Sequence, residues 1–233
     1  ILAKSSNVGV AKLALDLDQN ALWSSLSKFG IGRLTDSGFP GESAGVLNDP
    51  QHWRPVGQAT LAYGYGLSVT ALQLAQAYAV IAADGLHRPV SMIMVDEPPS
   101  AERIISAETA RSLKIMLETV VSPIGTGHRA AISHYRVAGK TGTAWKSGVG
   151  GYSKDRYVAV FGGFAPVANP KLAAVIVINE PRGEAYYGGD VAAPVFSRII
   201  SGALRLLAVA PDAVPEAPMT ALASTFTQTE VNE

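Results

Sequence analysis

The chain has 233 residues, 48% of them hydrophobic, enough for one large domain or two small ones around a sizeable core. Nineteen Lys and Arg balance nineteen Asp and Glu, so no excess positive field exists to hold nucleic acid or an anionic membrane surface. The absence of cysteine excludes disulfides, thiolate chemistry and cysteine-built zinc sites, and His52, His87, His128 and His134 show no i, i+4 pairing on a helix that would suggest another metal site.

No run of about 18 apolar residues suggests a membrane-spanning helix, and no basic-then-apolar leader opens the chain. Ile1-Leu2-Ala3-Lys4 reads as the middle of a longer sequence. Residues 6–18 form a helix-like run carrying Val8, Val10, Leu13, Leu15 and Leu17, with Ser5-Ser6-Asn7 as its capping signal. A second helix is expected over 20–29, with Leu22, Trp23, Leu26 and Phe29 on one face. Residues 30–58, rich in Gly, Pro, Asp and Ser, read as a long ordered loop.

The clearest amphipathic pattern covers 70–83, where Leu72, Leu74, Ala75, Tyr78, Ala79 and Ala82 recur near the helical period and Gly85 ends the run. Residues 90–95 read as a short apolar strand. Ser106 caps a helix through about 121, with Glu108 in its first turn, and a loop around Gly125-Thr126-Gly127 follows. Strands are expected over 135–145, 156–165 and 171–179, with links short enough for an antiparallel meander. The unbroken apolar run 175–178 suggests a strand covered on both faces. A closing helix is expected over 191–207, and a proline-bearing, polar, disordered tail over 208–233.

Gly139-Lys140-Thr141-Gly142-Thr143-Ala144 is the first pattern with chemical content. As a phosphate loop it would need a glycine where His134 stands and a helix after Thr141, whereas the following residues are strand-like. As a K-T-G strand it puts Lys140 and Thr141 on alternate sides by the period of two. Lys140 and the hydroxyls of Thr141 and Thr143 can then meet a carboxylate, while Gly142 leaves room for a substrate backbone. Ser5-Ser6-Asn7 supplies an S-x-N pattern upstream, in a helical setting, with a long insert between the two motifs.

With these motifs the sequence resembles the division-specific, monofunctional penicillin-binding transpeptidases of Gram-negative bacteria, the FtsI type, from Ile1 to about Pro211. The likeness is carried by 4–10 and 139–144, together with Ala62-Tyr63-Gly64-Tyr65-Gly66-Leu67-Ser68-Val69-Thr70, Tyr186-Tyr187-Gly188-Gly189 and Ala193-Pro194-Val195-Phe196. The family's motifs run S-x-x-K, S-x-N, K-[ST]-G, so the resemblance implies a first motif ahead of Ile1. Ser25-Leu26-Ser27-Lys28 matches S-x-x-K but follows S-x-N and reads as a solvated helix face.

The resemblance implies an α/β (α+β) fold of the penicillin-recognising, β-lactamase-like kind. An antiparallel sheet is flanked by helices, residues 1–207 form the C-terminal portion of the transpeptidase domain, and the N-terminal part is missing. It implies D,D-transpeptidation of peptidoglycan stem peptides ending in D-Ala-D-Ala through an acyl-serine intermediate, inhibition by β-lactam antibiotics, and no cofactor. Ser5 would pass a proton, Asn7 would hold the substrate amide and orient the general-base lysine, and Lys140 would set the positive potential. Thr141 and Thr143 would bind the terminal carboxylate, with the Thr143 N–H as half of the oxyanion hole. Tyr65, Tyr186, Tyr187 and Gly188 would line the cleft. Trp145 stands where relatives usually carry a basic residue.

The same resemblance implies a periplasmic location with a tether to the inner membrane, divisome partners, and an apolar surface where the missing half packs. Isolated, the fragment is expected to be inactive and poorly soluble. The competing readings are a related acyl-serine protein, such as a D,D-carboxypeptidase or β-lactam sensor, and a non-catalytic penicillin-binding-like module.

Overall fold

The structure is a computed structural model that describes residues 1–148 and 151–213. Helices α1 (Asn7–Leu15) and α2 (Gln19–Lys28) open the chain, each started by a side-chain cap. Ser6 Oγ accepts from the Gly9 N–H at 3.1 Å, and Asp18 accepts from the Ala21 N–H at 3.0 Å. The loop expected over 30–58 is ordered but not free of structure. It carries β1 (Val46–Leu47) and a 3-10 turn (Pro50–His52), and α3 (Pro55–Leu61) begins before it ends. Helix α3 starts on a proline, whose missing N–H costs nothing in a first turn. Gln58 ties α3 to the end of the first helix, donating from Nε2 to the carbonyls of Ala14 and Leu17.

Strand β2 (Leu67–Ser68) pairs with β1 and leads into α4 (Ala71–Ala82). The start of α4 is a reciprocal capping box. Thr70 Oγ1 accepts from the Gln73 N–H, and Gln73 Oε1 accepts from the Thr70 N–H. Fully buried Gln73 also donates to the carbonyls of Gly30, Arg33 and Ala44, which explains how a Gly-rich loop stays ordered. Beyond α4, β3 (Leu86–His87) pairs with β4 (Glu102–Arg103), and α5 (Ala107–Val121) is capped by Ser106 as the sequence suggests.

The strand expected over 90–95 is not there. Those residues are irregular, with a bend at Met92 and Ile93, and Met92, Ile93 and Met94 are exposed. An apolar run becomes a strand only where another edge meets it, and the edge in this region pairs Leu86 and His87 instead.

The meander is present: β5 (Ala138–Gly148), β6 (Gly151–Ala165) and β7 (Leu172–Asn179) form one antiparallel sheet in the order β5-β6-β7. The chain closes through α6 (Gly188–Val191) and α7 (Ala193–Leu206), so the closing helix is interrupted at Ala192. Helix α7 covers one face of the sheet, with Phe196, Ile200 and Leu204 against Phe161 and the rings of Phe161 and Phe196 edge-on at 4.9 Å. Helices α4 and α5 cover the other, where Tyr78, Ile81 and Leu117 meet Phe164 and Ala138. Strand β7, which among the described residues has a neighbour on one side only, is not covered throughout: Val177 is 46% exposed.

The first residues of the tail expected over 208–233 are held to the fold. The Tyr135 hydroxyl donates to Val209 O, and the Asp212 carboxylate accepts from the N–H groups of Arg136 and Ala168. These contacts anchor 209–213 beside the sheet, and 214–233, the rest of the expected tail, lie outside the described residues. No described helix is long and apolar enough to cross a membrane. Large apolar side chains stay exposed at Val8, Leu13, Leu15 and Leu17, on and just after α1.

Candidate active site

The two sequence motifs meet at one lysine. Lys140 Nζ donates to Ser5 Oγ at 2.8 Å, to Thr141 O at 2.8 Å and to Thr141 Oγ1 at 3.2 Å. An ammonium has three protons, and here three oxygens accept them. Ser5 reaches Lys140 from a tight turn in which its own N–H bonds Leu2 O and the next N–H bonds Ile1 O. Its backbone is left-handed, at φ 51°, a conformation a non-glycine residue adopts at some cost. Burial lowers the Lys140 pKa to about 8, because its charged form is partly withdrawn from water. Asn7 is the first residue of α1, two positions after Ser5, and is exposed.

The phosphate-loop alternative fails on this geometry. Gly139 to Thr143 lie inside β5, which runs on to Gly148 with no helix after Thr141. Of the S-x-x-K look-alike, Ser25 and Lys28 are exposed as expected, but Ser27 is buried. The Ser25 hydroxyl donates back to Ala21 O, the local bond of an ordinary helical serine.

Strand β5 is an edge strand among the described residues, with β6 on one side only. The Trp145 N–H leaves the sheet and donates to the Tyr65 hydroxyl at 3.0 Å. By the period of two, the backbone groups of Thr143 and Thr141 open on that same side, while Lys140, Gly142 and Ala144 pair with Gly162, Val160 and Val158 of β6. Thr143 Oγ1 accepts from the Gly188 N–H at 2.9 Å. A Cβ on Gly142 would find only an ordinary contact, Val160 Cβ at 3.5 Å, so packing within the chain does not require glycine there.

Thr126 was invisible in the sequence as a site residue. Its hydroxyl shares a hydrogen bond with that of Thr141 at 2.8 Å, and its N–H donates to Ala3 O at 3.1 Å. It therefore joins the segment before Ser5 to the K-T-G strand. The only local signal is its place between two glycines. Glycine at 189 lets α6 come down on the same residue, since a Cβ there would sit 2.2 Å from Thr126 O.

Aromatic rings cluster about the far end of β5, beyond the lysine. Tyr65 stands edge-on to Tyr152 at 4.9 Å and to Tyr63 at 6.0 Å. Trp145, half exposed, is the cross-strand partner of Tyr157, whose ring stacks on Tyr186 at 4.1 Å. The Tyr186 hydroxyl donates to Tyr187 at 3.2 Å, and that bond raises its pKa to about 12. Tyr152 and Tyr157 were not singled out in the sequence, because their contacts come from strand pairing and distant loops.

Residues 1–201 match the family model described as penicillin binding protein transpeptidase domain, and the chain belongs to that family. It is 46% identical to peptidoglycan D,D-transpeptidase FtsI of Escherichia coli K12 over 92% of its own length and 36% of that protein's. It is 41% identical to probable peptidoglycan D,D-transpeptidase PenA of Neisseria gonorrhoeae, over 96% of the chain and 38% of the relative. The chain thus spans little more than a third of the length of these curated relatives. Among solved structures it resembles the apo transpeptidase domain of penicillin-binding protein 3 from Burkholderia pseudomallei, with TM-score 0.85 and 44% identity over 91% of the chain and 65% of that structure.

Proposed function

We propose that this chain forms the K-T-G wall and the S-x-N wall of a peptidoglycan D,D-transpeptidase of the septal, FtsI type. The supporting observation is the 2.8 Å bond from Lys140 Nζ to Ser5 Oγ, which makes one site of two motifs far apart in the sequence. The substrate is a stem peptide ending in D-Ala-D-Ala. The attacking serine and its lysine come from the S-x-x-K motif, in a segment ahead of Ile1 that also covers the apolar residues exposed around α1. The serine oxygen bonds to the carbonyl carbon, the peptide bond to the last D-Ala breaks, and the leaving amine takes a proton relayed through Ser5 and Lys140. A second amine then attacks the acyl-serine, forming the crosslink and returning the serine its proton.

The open Thr143 N–H is one donor to the oxyanion, and the serine's own N–H is the other. Thr141 and Thr143 receive the terminal carboxylate, Asn7 holds the substrate amide, and Gly142 leaves room for the ligand backbone. Tyr65, Tyr186, Tyr187 and Gly188 border the same cleft. β-Lactams enter as substrate mimics. The site faces the periplasm, in a protein tethered to the inner membrane and working among division proteins.

Labelling with a fluorescent penicillin tests this reading. The full-length protein should label covalently, and the 233-residue chain alone should not. A full-length protein that stays unlabelled at saturating penicillin would overturn it. Within the full-length protein, Thr126→Val should slow acylation by about 2- to 10-fold, the value of one neutral hydrogen bond. Thr126→Ser, which keeps the hydroxyl, should restore the rate. Equal rates for Val and Ser would show that the Thr126–Thr141 bond does not position the site.

A further inference from the structure

An unpaired strand edge is a template on which an extended peptide can add itself, with main-chain bonds supplying affinity. The open edge of β5 presents the backbone groups of Thr141, Thr143 and Trp145, and the protein has already used two of them. The Thr141 carbonyl accepts from Lys140 Nζ at 2.8 Å, and the Trp145 N–H donates to the Tyr65 hydroxyl at 3.0 Å. Thr143, between them, is the residue whose N–H and C=O are both left open to the cleft.

The Tyr65 hydroxyl is held firmly at this place. The residue lies between Gly64 and Gly66, both left-handed at φ 96° and 80°, so the chain turns tightly on either side of it. Its N–H bonds Thr60 O at 3.1 Å, and its ring is gripped edge-on by Tyr63 and Tyr152. A phenol that accepts one hydrogen bond still has a proton to donate. A peptide arriving beyond Thr143 therefore meets a hydroxyl where a bare strand would offer a backbone N–H.

We propose that Tyr65 is a stop on the β5 edge: it confines an acyl-donor peptide to pairing with Thr143 and keeps the residues farther from the scissile bond from pairing with Trp145. This rests on the transpeptidase reading above and adds to it the residue that sets how far the donor is read as a strand. Tyr65 acts here as a positioning residue, through the occupancy of a backbone donor.

The test compares wild type with Tyr65→Phe in the full-length protein, by two readouts. The first is residue-resolved amide exchange. The Trp145 amide should exchange about 2- to 10-fold faster in the variant, the range one neutral hydrogen bond commands, while the Gly142 and Ala144 amides, paired to β6, keep their rates. The second is acylation by two N-acetylated peptides ending in D-Ala-D-Ala, a tripeptide and the same peptide extended by one N-terminal residue. The ratio of kcat/KM, long over short, should rise in the variant, with the change carried by KM. Should Tyr65→Phe fold poorly, Tyr152→Ala, which removes the supporting ring, carries the same comparison. Unchanged Trp145 exchange, or a ratio that stays level or falls, overturns the proposal. Wild type that is acylated by neither peptide overturns it through its premise, and the exchange data distinguish that failure from a failure of the stop itself.

Discussion

Replacing Lys140 by alanine in the full-length protein should lower the acylation rate by about 10²–10⁴-fold, the range of a positioned proton-transfer group. The fold should survive, because Lys140 lies on an edge strand and its partners are two hydroxyls and one carbonyl at a cleft. The lysine also predicts two pH dependences of opposite sign. Burial places its folded pKa at about 8 against an ordinary 10.5. Below that folded value the group is a cation, so affinity for an anionic ligand should be full there and should fall as pH rises through about 8.

Stability should move the other way. Between about 8 and 10.5 the unfolded chain binds the proton that the folded chain has released, so stability rises with pH across that window. The penalty of burying the charged form is complete below the folded pKa and gone above the unfolded one. Binding titrations and urea unfolding, each run from pH 7 to 10.5, would show both trends, and Lys140→Ala should remove both. Lys140→Arg, which keeps its charge throughout this range, should abolish the binding step while retaining anion affinity. Wild-type curves that match those of the alanine variant would show that the lysine is neither depressed in pKa nor the anion-binding group.

What the sequence revealed was decided by whether a feature is local. The helix over Ala71–Ala82 was legible because its apolar period lies within it and Gly85 marks its end, whereas the Thr70–Gln73 box that starts it emerged only in the structure. The helix over Ala107–Val121 announced itself through Ser106, and the three-strand meander through short links between apolar runs. The seven residues of Pro55–Leu61 are too few to show a period, contain Gly57, and take their helical state from Gln58 bonding to Ala14 and Leu17, which no local pattern records. The misread strand at 90–95 is the converse case, where apolar composition without a partner edge forms nothing.

The site divided in the same way. Ser5, Asn7 and Lys140 stood out by motif, whereas Thr126 matters because it bonds Thr141 and Ala3 across the fold. Tyr152 matters because it braces Tyr65. The binding of 209–213 was hidden for that reason too, since the prolines that suggest a tail say nothing of an aspartate that caps two distant N–H groups.

Two glycines in the site are expected to answer differently to the same added methyl, and the contrast separates internal packing from room for a ligand. A Cβ on Gly188 would lie 2.3 Å from both Gly142 O and Val160 O, and 3.1 Å from Val160 N. Those atoms are backbone of the β5–β6 ladder and cannot yield as a side chain would, so Gly188→Ala should lift α6 away from the sheet. The expected loss is about 1–3 kcal/mol in urea unfolding, as for other overpacked sites. Lifting α6 also withdraws the Gly188 N–H from Thr143 Oγ1 and carries Tyr187 with it, so acylation should fall together with stability. At Gly142 the added methyl meets only Val160 Cβ, at 3.5 Å. Gly142→Ala should therefore leave unfolding unchanged and, on the proposed reading in which the open space beside it receives the substrate, impair only ligand binding and acylation. Destabilisation by Gly142→Ala equal to that of Gly188→Ala would mean that the glycine of the K-T-G motif is there for packing. Full stability in Gly188→Ala would mean that α6 does not rest on the ladder.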